Sequence, residues 1–387
     1  MSEFLRKMSF FLEKKHNAIF LYDVKKQNRY IEKFRQPRDE IERSYFQYKC
    51  QMKLNGVFLA FLLNLLSFPV TILYFFTTKN KRVDTFDENK KDACFFRDGK
   101  PENILPLSLR EKYTLLETNP DDGCHIGSND KKFIRQLIKR YPFSWHFILK
   151  CFIKIRRYSF VIEKYSPKAI IVCAEYSFTS SVLTAYCRER DIRHIDVMHG
   201  EKLYYIRDSF FEFDECYVWD DYYANLFISL KASPKQFIVE IPDSLRFGSS
   251  IERIQIYDYT YYLANETEET LKNISCALNK LNEYNFKISV RPHPRYSNID
   301  LVNRFFAFAD IQNTDEVTIE QSLLQTGAAI SLYSTVLNQA SYNSVPVIID
   351  DISNSEYFEK LKELRYICFN KKHMLLSEIF MDLNFQL

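Results

Sequence analysis

Three short stretches combine residue types that can move a proton or hold a phosphate. In KISVRPHPRYS, Lys287–Ser297, one histidine, His293, stands between two prolines and is flanked by Arg291 and Arg295. The prolines fix φ and push their preceding residues toward extended geometry, so the imidazole is held at little entropic cost. A histidine so placed can give a hydrogen bond or a proton to a departing phosphate, and the arginines are cationic forks suited to one. In AAISLYSTVLNQA, Ser334 and Thr335 fall where a strand pattern turns into a helix pattern. Such a helix start, with two hydroxyls and free N–H groups, suits an anion. Upstream, LLETNPDDGCHIGS carries Asp121-Asp122-Gly123, and paired carboxylates in one turn raise one pKa toward that of a general base. His199 in VMHGE and Glu175 in CAEYSFTSS are further acid–base candidates at strand ends, and Glu316 and Glu320 in DEVTIEQSL are placed to grip a ribose. Each stretch also has a plainer reading, as a stiff turn, a helix cap or ordinary turn residues.

The elements that must position these residues alternate regularly. KAIIVCAEY (168–176), RHIDVMHGE (193–201) and FDECYVWDD (213–221) read as buried strands, with helical stretches after the first and the third. The second half repeats this with TYYLAN (260–265), FKISVRP, AAISLY (328–333) and VPVIIDD. Strand–helix–strand units of this kind predict parallel sheets covered by helices. The expected fold is α/β, with two doubly wound Rossmann-type domains joined near 240–258 and facing a central cleft. Expected boundaries are 91–245 for the first and 255–387 for the second. Residues 1–90 form a basic N-terminal region that is part of the first domain or appended to it.

Composition narrows the chemistry. The 387 residues include only seven glycines, with no GxGxxG and no GxxxxGK[ST], which argues against a dinucleotide dehydrogenase or a P-loop NTPase. Nine cysteines are scattered without a CxxC, so neither a disulfide framework nor a structural zinc site is supported. A net charge of +3 is no footprint of a nucleic-acid partner. The charge is uneven, however. Residues 1–53 hold 13 Lys/Arg against 7 Asp/Glu, just before the uncharged stretch Leu54–Phe76. As a helix that stretch would reach roughly 35 Å, enough for a bilayer core. Asn55, Asn64, Ser67 and Pro69 dilute it. It can lie in the membrane surface, span the bilayer, or fold into the core; its basic flanks favour contact with an anionic membrane surface.

Taken in order, Asp-Asp-Gly, His-Pro and a hydroxyl pair resemble the three motifs of the bacterial sialyltransferases and polysialyltransferases with the GT-B fold. The resemblance covers roughly residues 90–350, departs in having Ser-Thr for Ser-Ser, and leaves the first 90 residues without a counterpart. It implies a GT-B-like pair of domains, the first for the acceptor and the second for the nucleotide-sugar. It also implies an inverting, metal-independent transfer. Asp122 would be the base, His293 the acid or phosphate ligand and Ser334 with Thr335 the phosphate cradle, with Arg291 and Arg295 beside it and Glu320 on the ribose. No cofactor is implied beyond a CMP-sugar donor as substrate. The partners would be a glycan or lipid-linked glycan acceptor and a membrane surface on the cytoplasmic side of the bacterial inner membrane. The same motifs look like those of transferases using CMP-Kdo. A polyol-phosphate nucleotide as donor and a non-catalytic accessory protein of polysaccharide assembly are the other readings.

Overall fold

The computed structural model describes residues 17–78, 92–97, 102–119, 123–248 and 253–385. Two compact units emerge. Of the described residues, one comprises those of Tyr22–His199 and Tyr205–Ser244; the other comprises those of Leu245–Leu387, the segment Gly200–Tyr204 and Asn17–Leu21.

The first unit is built on a six-stranded sheet. Its strands are β1 (Ala93–Phe96), β2 (Leu115–Thr118), β3 (Ala169–Val172), β4 (Arg193–Val197), β5 (Glu215–Val218) and β6 (Phe237–Val239), in the order β2-β1-β3-β4-β5-β6. Every pairing is parallel; Ala93, for example, faces Leu115 on one side and Ala169 on the other. β1 and β3 are buried at every position, which explains their unbroken apolar sequences: helices cover both faces of a parallel sheet. Phe95, Leu105, Leu109, Ile171 and Ile195 share one core.

The second unit repeats the design. β7 (Tyr257–Tyr262), β8 (Ile288–Arg291), β9 (Asp310–Ile311), β10 (Thr326–Ser331), β11 (Val347–Ile349) and β12 (Met374–Leu375) lie in the order β12-β11-β10-β7-β8-β9, again all parallel. Tyr261, Ile274, Leu278, Ile288, Ile330 and Ile348 fill its core. Each contributes roughly 1.5–3 kcal/mol of burial. The helix Glu268–Glu283 starts at Thr267, whose side chain accepts the Thr270 N–H at 3.2 Å, and Glu268 and Glu269 complement the helix dipole. The fold is therefore α/β with two doubly wound parallel units, as the alternation of the sequence predicts.

Two switch points follow from the strand orders. In the first sheet the chain builds β1 and β2 to one side, then starts the other side at β3. In the second it reverses between β7 and β10. Ligands of open α/β sheets bind outside the strand C-termini at such reversals.

The apolar stretch forms one helix, Val57–Thr77, with Pro69 inside it. Gly56, at φ 86°, joins it to the helix Glu40–Asn55 through a backbone conformation that side-chain-bearing residues rarely adopt. The third placement considered above, a buried core element, is not observed: most large side chains of this helix are exposed. The sequence of residues 132–165 divides at Tyr141–Ser144 into the helices Ser128–Arg140 and Trp145–Tyr165.

Candidate functional site

In the second unit, four loops emerge side by side at the C-terminal edge of β8, β7, β10 and β11. The loop after β8 carries the His-Pro motif. The His293 N–H donates to Ser297 Oγ at 2.8 Å, and the N–H groups of Tyr296 and Ser297 return to the His293 carbonyl. The Tyr296 ring lies on the imidazole with centroids 4.6 Å apart. The Arg295 N–H donates to Nδ1 at 3.1 Å. An acceptor at Nδ1 puts the ring proton on Nε2, so this edge is a donor. Burial, and then the charge of Arg295, lower the His293 pKa and keep the ring neutral near pH 7.

The two arginines of the motif differ. Arg295 is exposed. Arg291 ends β8, is only 5% exposed, and donates to Gln312 Oε1 at 3.2 Å and to the Val317 carbonyl at 2.7 Å. Burial lowers its pKa, and those two acceptors tie it to the 312–317 loop. Its place is that of a brace for the loops around His293.

After β10, Ser334 is the N-cap of the helix Thr335–Tyr342, its Oγ accepting the Val336 N–H at 3.2 Å. Tyr366, fully buried, holds this cap from beneath by donating its hydroxyl to the Ser334 carbonyl at 2.8 Å. Thr335 is the first helical residue and is partly exposed. β8 and β10 are separated only by β7, so the His293 and Ser334 loops start about 10 Å apart, on the scale of a nucleotide. Glu320, on the helix Ile319–Leu324, accepts the Gly248 N–H at 3.1 Å, and Glu316 is exposed.

Two acids at this edge were not singled out in the sequence. Glu266, in the loop after β7, accepts the Ala264 N–H with both oxygens, at 2.8 and 2.9 Å. Burial, with a smaller push from Asp350, raises its pKa to about 7. Asp350, at the end of β11, is fully buried and accepts the Tyr261 hydroxyl at 2.7 Å and the N–H groups of Ile352 and Ser353. The detectable signal was position: Glu266 follows β7, which flanks the reversal between β7 and β10, and Asp350 follows β11, the neighbour of β10.

In the first unit, Asp121 and Asp122 lie outside the described residues. Gly123, next to them, is described: a Cβ there would come within 2.4 Å of the Phe160 ring, so a side chain at this point of the motif would require that ring to move. Two residues on, the His125 N–H donates to the Arg156 carbonyl at 3.0 Å, fastening the loop to the helix Trp145–Tyr165. The other two acid–base candidates come together. Glu175, after β3, is fully buried, and its Oε1 lies 3.5 Å from Nδ1 of His199, after β4. This distance is an electrostatic pairing that would orient an Nδ1–H toward the carboxylate and leave Nε2 open. Gln47 and Gln51, on the helix Glu40–Asn55, donate to the Glu175 and Tyr176 carbonyls at 3.0 and 2.7 Å and fix the loop that carries Glu175. Asp220, part of the other Asp-Asp pair in this unit, is an N-cap, accepting the Tyr222 N–H. Among the described residues, no group of three or more His, Cys, Asp or Glu side chains is arranged to hold a metal.

No protein-family model matches the chain, and no curated protein matches its sequence. Solved structures with some likeness include the UDP-GlcNAc 2-epimerase of Neisseria meningitidis bound to UDP-GlcNAc. It shows 11% identity and a TM-score of 0.41, over 69% of this chain and 84% of that one. The calicheamicin glycosyltransferase CalG4 shows 8% identity and a TM-score of 0.41, over 71% and 83%. The lipopolysaccharide outer core galactosyltransferase WaaB shows 12% and 0.34, over 73% and 82%. The fold assignment above rests on strand order and register within the chain itself.

Proposed function

We propose that this chain is a GT-B-type glycosyltransferase that binds a nucleotide-sugar donor at the C-terminal edge of the second sheet. One observation carries the reading: the His293 loop and the Ser334 helix cap emerge on either side of β7, next to the reversal between β7 and β10. In the proposed step the acceptor hydroxyl loses its proton to a base and its oxygen bonds to the anomeric carbon. The bond from that carbon to the phosphate oxygen breaks, and its electron pair leaves with the nucleotide. His293, donating from Nε2, and the N-terminus of the helix Thr335–Tyr342 take up the charge on the departing phosphate. Ser334 and Thr335 hold that phosphate, Arg295 adds positive charge, and Arg291 keeps the loop in place. This division of work needs no metal.

The motif resemblance favours a CMP-activated acid sugar as donor, sialic acid first and Kdo second, and Asp122 as base. The Glu175–His199 pair supports a second assignment of the base, with His199 accepting the proton and Glu175 orienting it.

The test is a donor screen with the full chain. CMP-sialic acid, CMP-Kdo, UDP-sugars and a CDP-polyol are compared by thermal shift and by donor hydrolysis. The expected result is a shift and slow hydrolysis with one CMP-sugar, with hydrolysis reduced 10²–10⁴-fold in His293→Ala. Asp122→Asn and His199→Gln are then compared in transfer to an added acceptor; whichever abolishes transfer while keeping donor binding identifies the base. Binding of none of these donors refutes the proposal.

A further inference from the structure

We infer that the helix Val57–Thr77 lies in the plane of an anionic lipid bilayer, one long side on the protein and the other in the lipid. Among the described residues it is the only helix long and apolar enough to cross a membrane, with a mean hydropathy of 2.1 over its most apolar window. Only 11% of that window is buried. The covered side is specific. Ser67 and Thr71 are buried, Asn64 donates to the Phe143 carbonyl and accepts the His146 N–H at 3.0 Å, and Phe68 meets Trp145 edge to face at 4.8 Å. Further along, Tyr74 and Phe75 pack on Phe152. The helix therefore runs beside Trp145–Tyr165 from its middle to its end. The opposite side presents Phe58, Phe61, Leu65, Leu66, Leu73 and Phe76, from 56% to 81% exposed. That exceeds the isolated apolar patches a soluble monomer usually shows.

Charge identifies the occupant. The guanidinium of Arg156 lies 4.5 Å from the Tyr74 ring centroid and that of Arg135 5.6 Å from the Phe75 centroid. Lys132 and Lys139 are exposed on the helix Ser128–Arg140, and Lys53 closes the helix Glu40–Asn55. Asp130, the one acid of Ser128–Arg140, is turned inward onto Ser159, Tyr186 and Arg190. A basic rim around an apolar side matches acidic headgroups above acyl chains. A second copy would bring the same cations against each other. A span would carry Lys150, Lys154, Arg156 and Arg157 of the neighbouring helix into hydrocarbon, which is costly. The inference is independent of the sugar chemistry proposed above.

The test uses the purified full chain and vesicles of phosphatidylcholine, alone or with about one third phosphatidylglycerol. The chain is expected to float with the anionic vesicles and at least tenfold less with the neutral ones. Leu65→Glu with Leu73→Glu, both on exposed positions, should abolish flotation while circular dichroism and melting stay unchanged. Depth comes from quenching of Trp145 by brominated lipids, with Trp145→Phe as background. Because Phe68 is central in the helix, an in-plane placement predicts stronger quenching by shallow bromines. Strongest quenching by the deepest bromines would establish a span and overturn the inference. So would a lipid-free dimer that the double variant dissociates, or flotation that ignores both substitutions.

Discussion

Replacing Glu266 by Gln should stabilise the second unit, with a gain that grows as pH rises from about 5 to 7. The carboxyl is held near pKa 7 in the fold against an ordinary value of 4.5, chiefly by burial, with Asp350 adding repulsion. A carboxyl whose folded pKa is raised binds its proton more tightly in the folded state. The stability linked to it is fully present below about pH 4.5 and is lost as pH rises through about 7. At about 1.4 kcal/mol per pH unit the loss approaches roughly 3 kcal/mol by pH 8 as an upper bound. Glutamine keeps an oxygen for the Ala264 N–H and carries no charge, so it escapes the loss. Hydrogen exchange of the β7 and β10 amides reports this unit directly and can be followed from pH 4 to 8. Protection in the two proteins should match at pH 4, and the variant should gain progressively from about pH 5 to pH 7, by about 2–3 kcal/mol at pH 8. A difference that does not change with pH, or a wild-type advantage at pH 8, would refute the assignment of a raised carboxyl to this loop.

Two other substitutions test the frame around the chemistry. Ser334→Ala removes the cap on Val336 and should lower stability by about 1 kcal/mol in chemical denaturation; under the proposed function it also raises the donor KM more than it lowers kcat. In the first unit His194 is buried between the Tyr158 hydroxyl at 2.9 Å and Thr184 Oγ1 at 2.8 Å, and burial lowers its pKa to about 3. Burial likewise lowers His146 to about 4. Folded values below 6.5 mean that stability is present above pH 6.5 and lost as pH falls. Each histidine should therefore remove about 2 kcal/mol between pH 7 and pH 5. Exchange of the β3 and β4 amides should show this acid limb, and His194→Gln should reduce it by about half, leaving the His146 share.

Much of the fold was legible because buried parallel strands leave unbroken apolar runs. KAIIVCAEY and FKISVRP contain β3 and β8, and AAISLY overlaps β10 over 328–331. The edge strands β9 and β12 have two residues each and β6 has three, too short to leave a period, and only pairing with a neighbour defines them. The positions of the candidate residues were legible in part for the same reason: His293, Ser334, Glu175 and His199 all follow apolar runs. Sequence could not tell which arginine of the His-Pro motif faces inward. Nor could it distinguish the buried Asp350, in an Asp-Asp pair, from a turn residue, or pick Glu266 out of the acids of ANETEE, since their character comes from what covers them.

Strand order adds a ranking that no motif contains. It depends on which distant segments pair, and β10 pairs with β7 although β8 and β9 intervene in the chain. That pairing places the loops of Glu266 and Ser334 on the two sides of the reversal in the second sheet. His293 follows β8, one strand away. In the first sheet the reversal lies between β1 and β3, and Glu175 follows β3. A ligand in the second unit should therefore be felt first at Glu266 and Ser334, with His293 reached by the part of it that extends over β8. This inverts the emphasis drawn from the motifs, in which the histidine was most conspicuous. It predicts that a nucleotide lacking the sugar protects the β7 and β10 loops from exchange before it protects the β8 loop. Protection confined to the β8 loop would show that the conspicuous motif, not the strand order, locates the ligand.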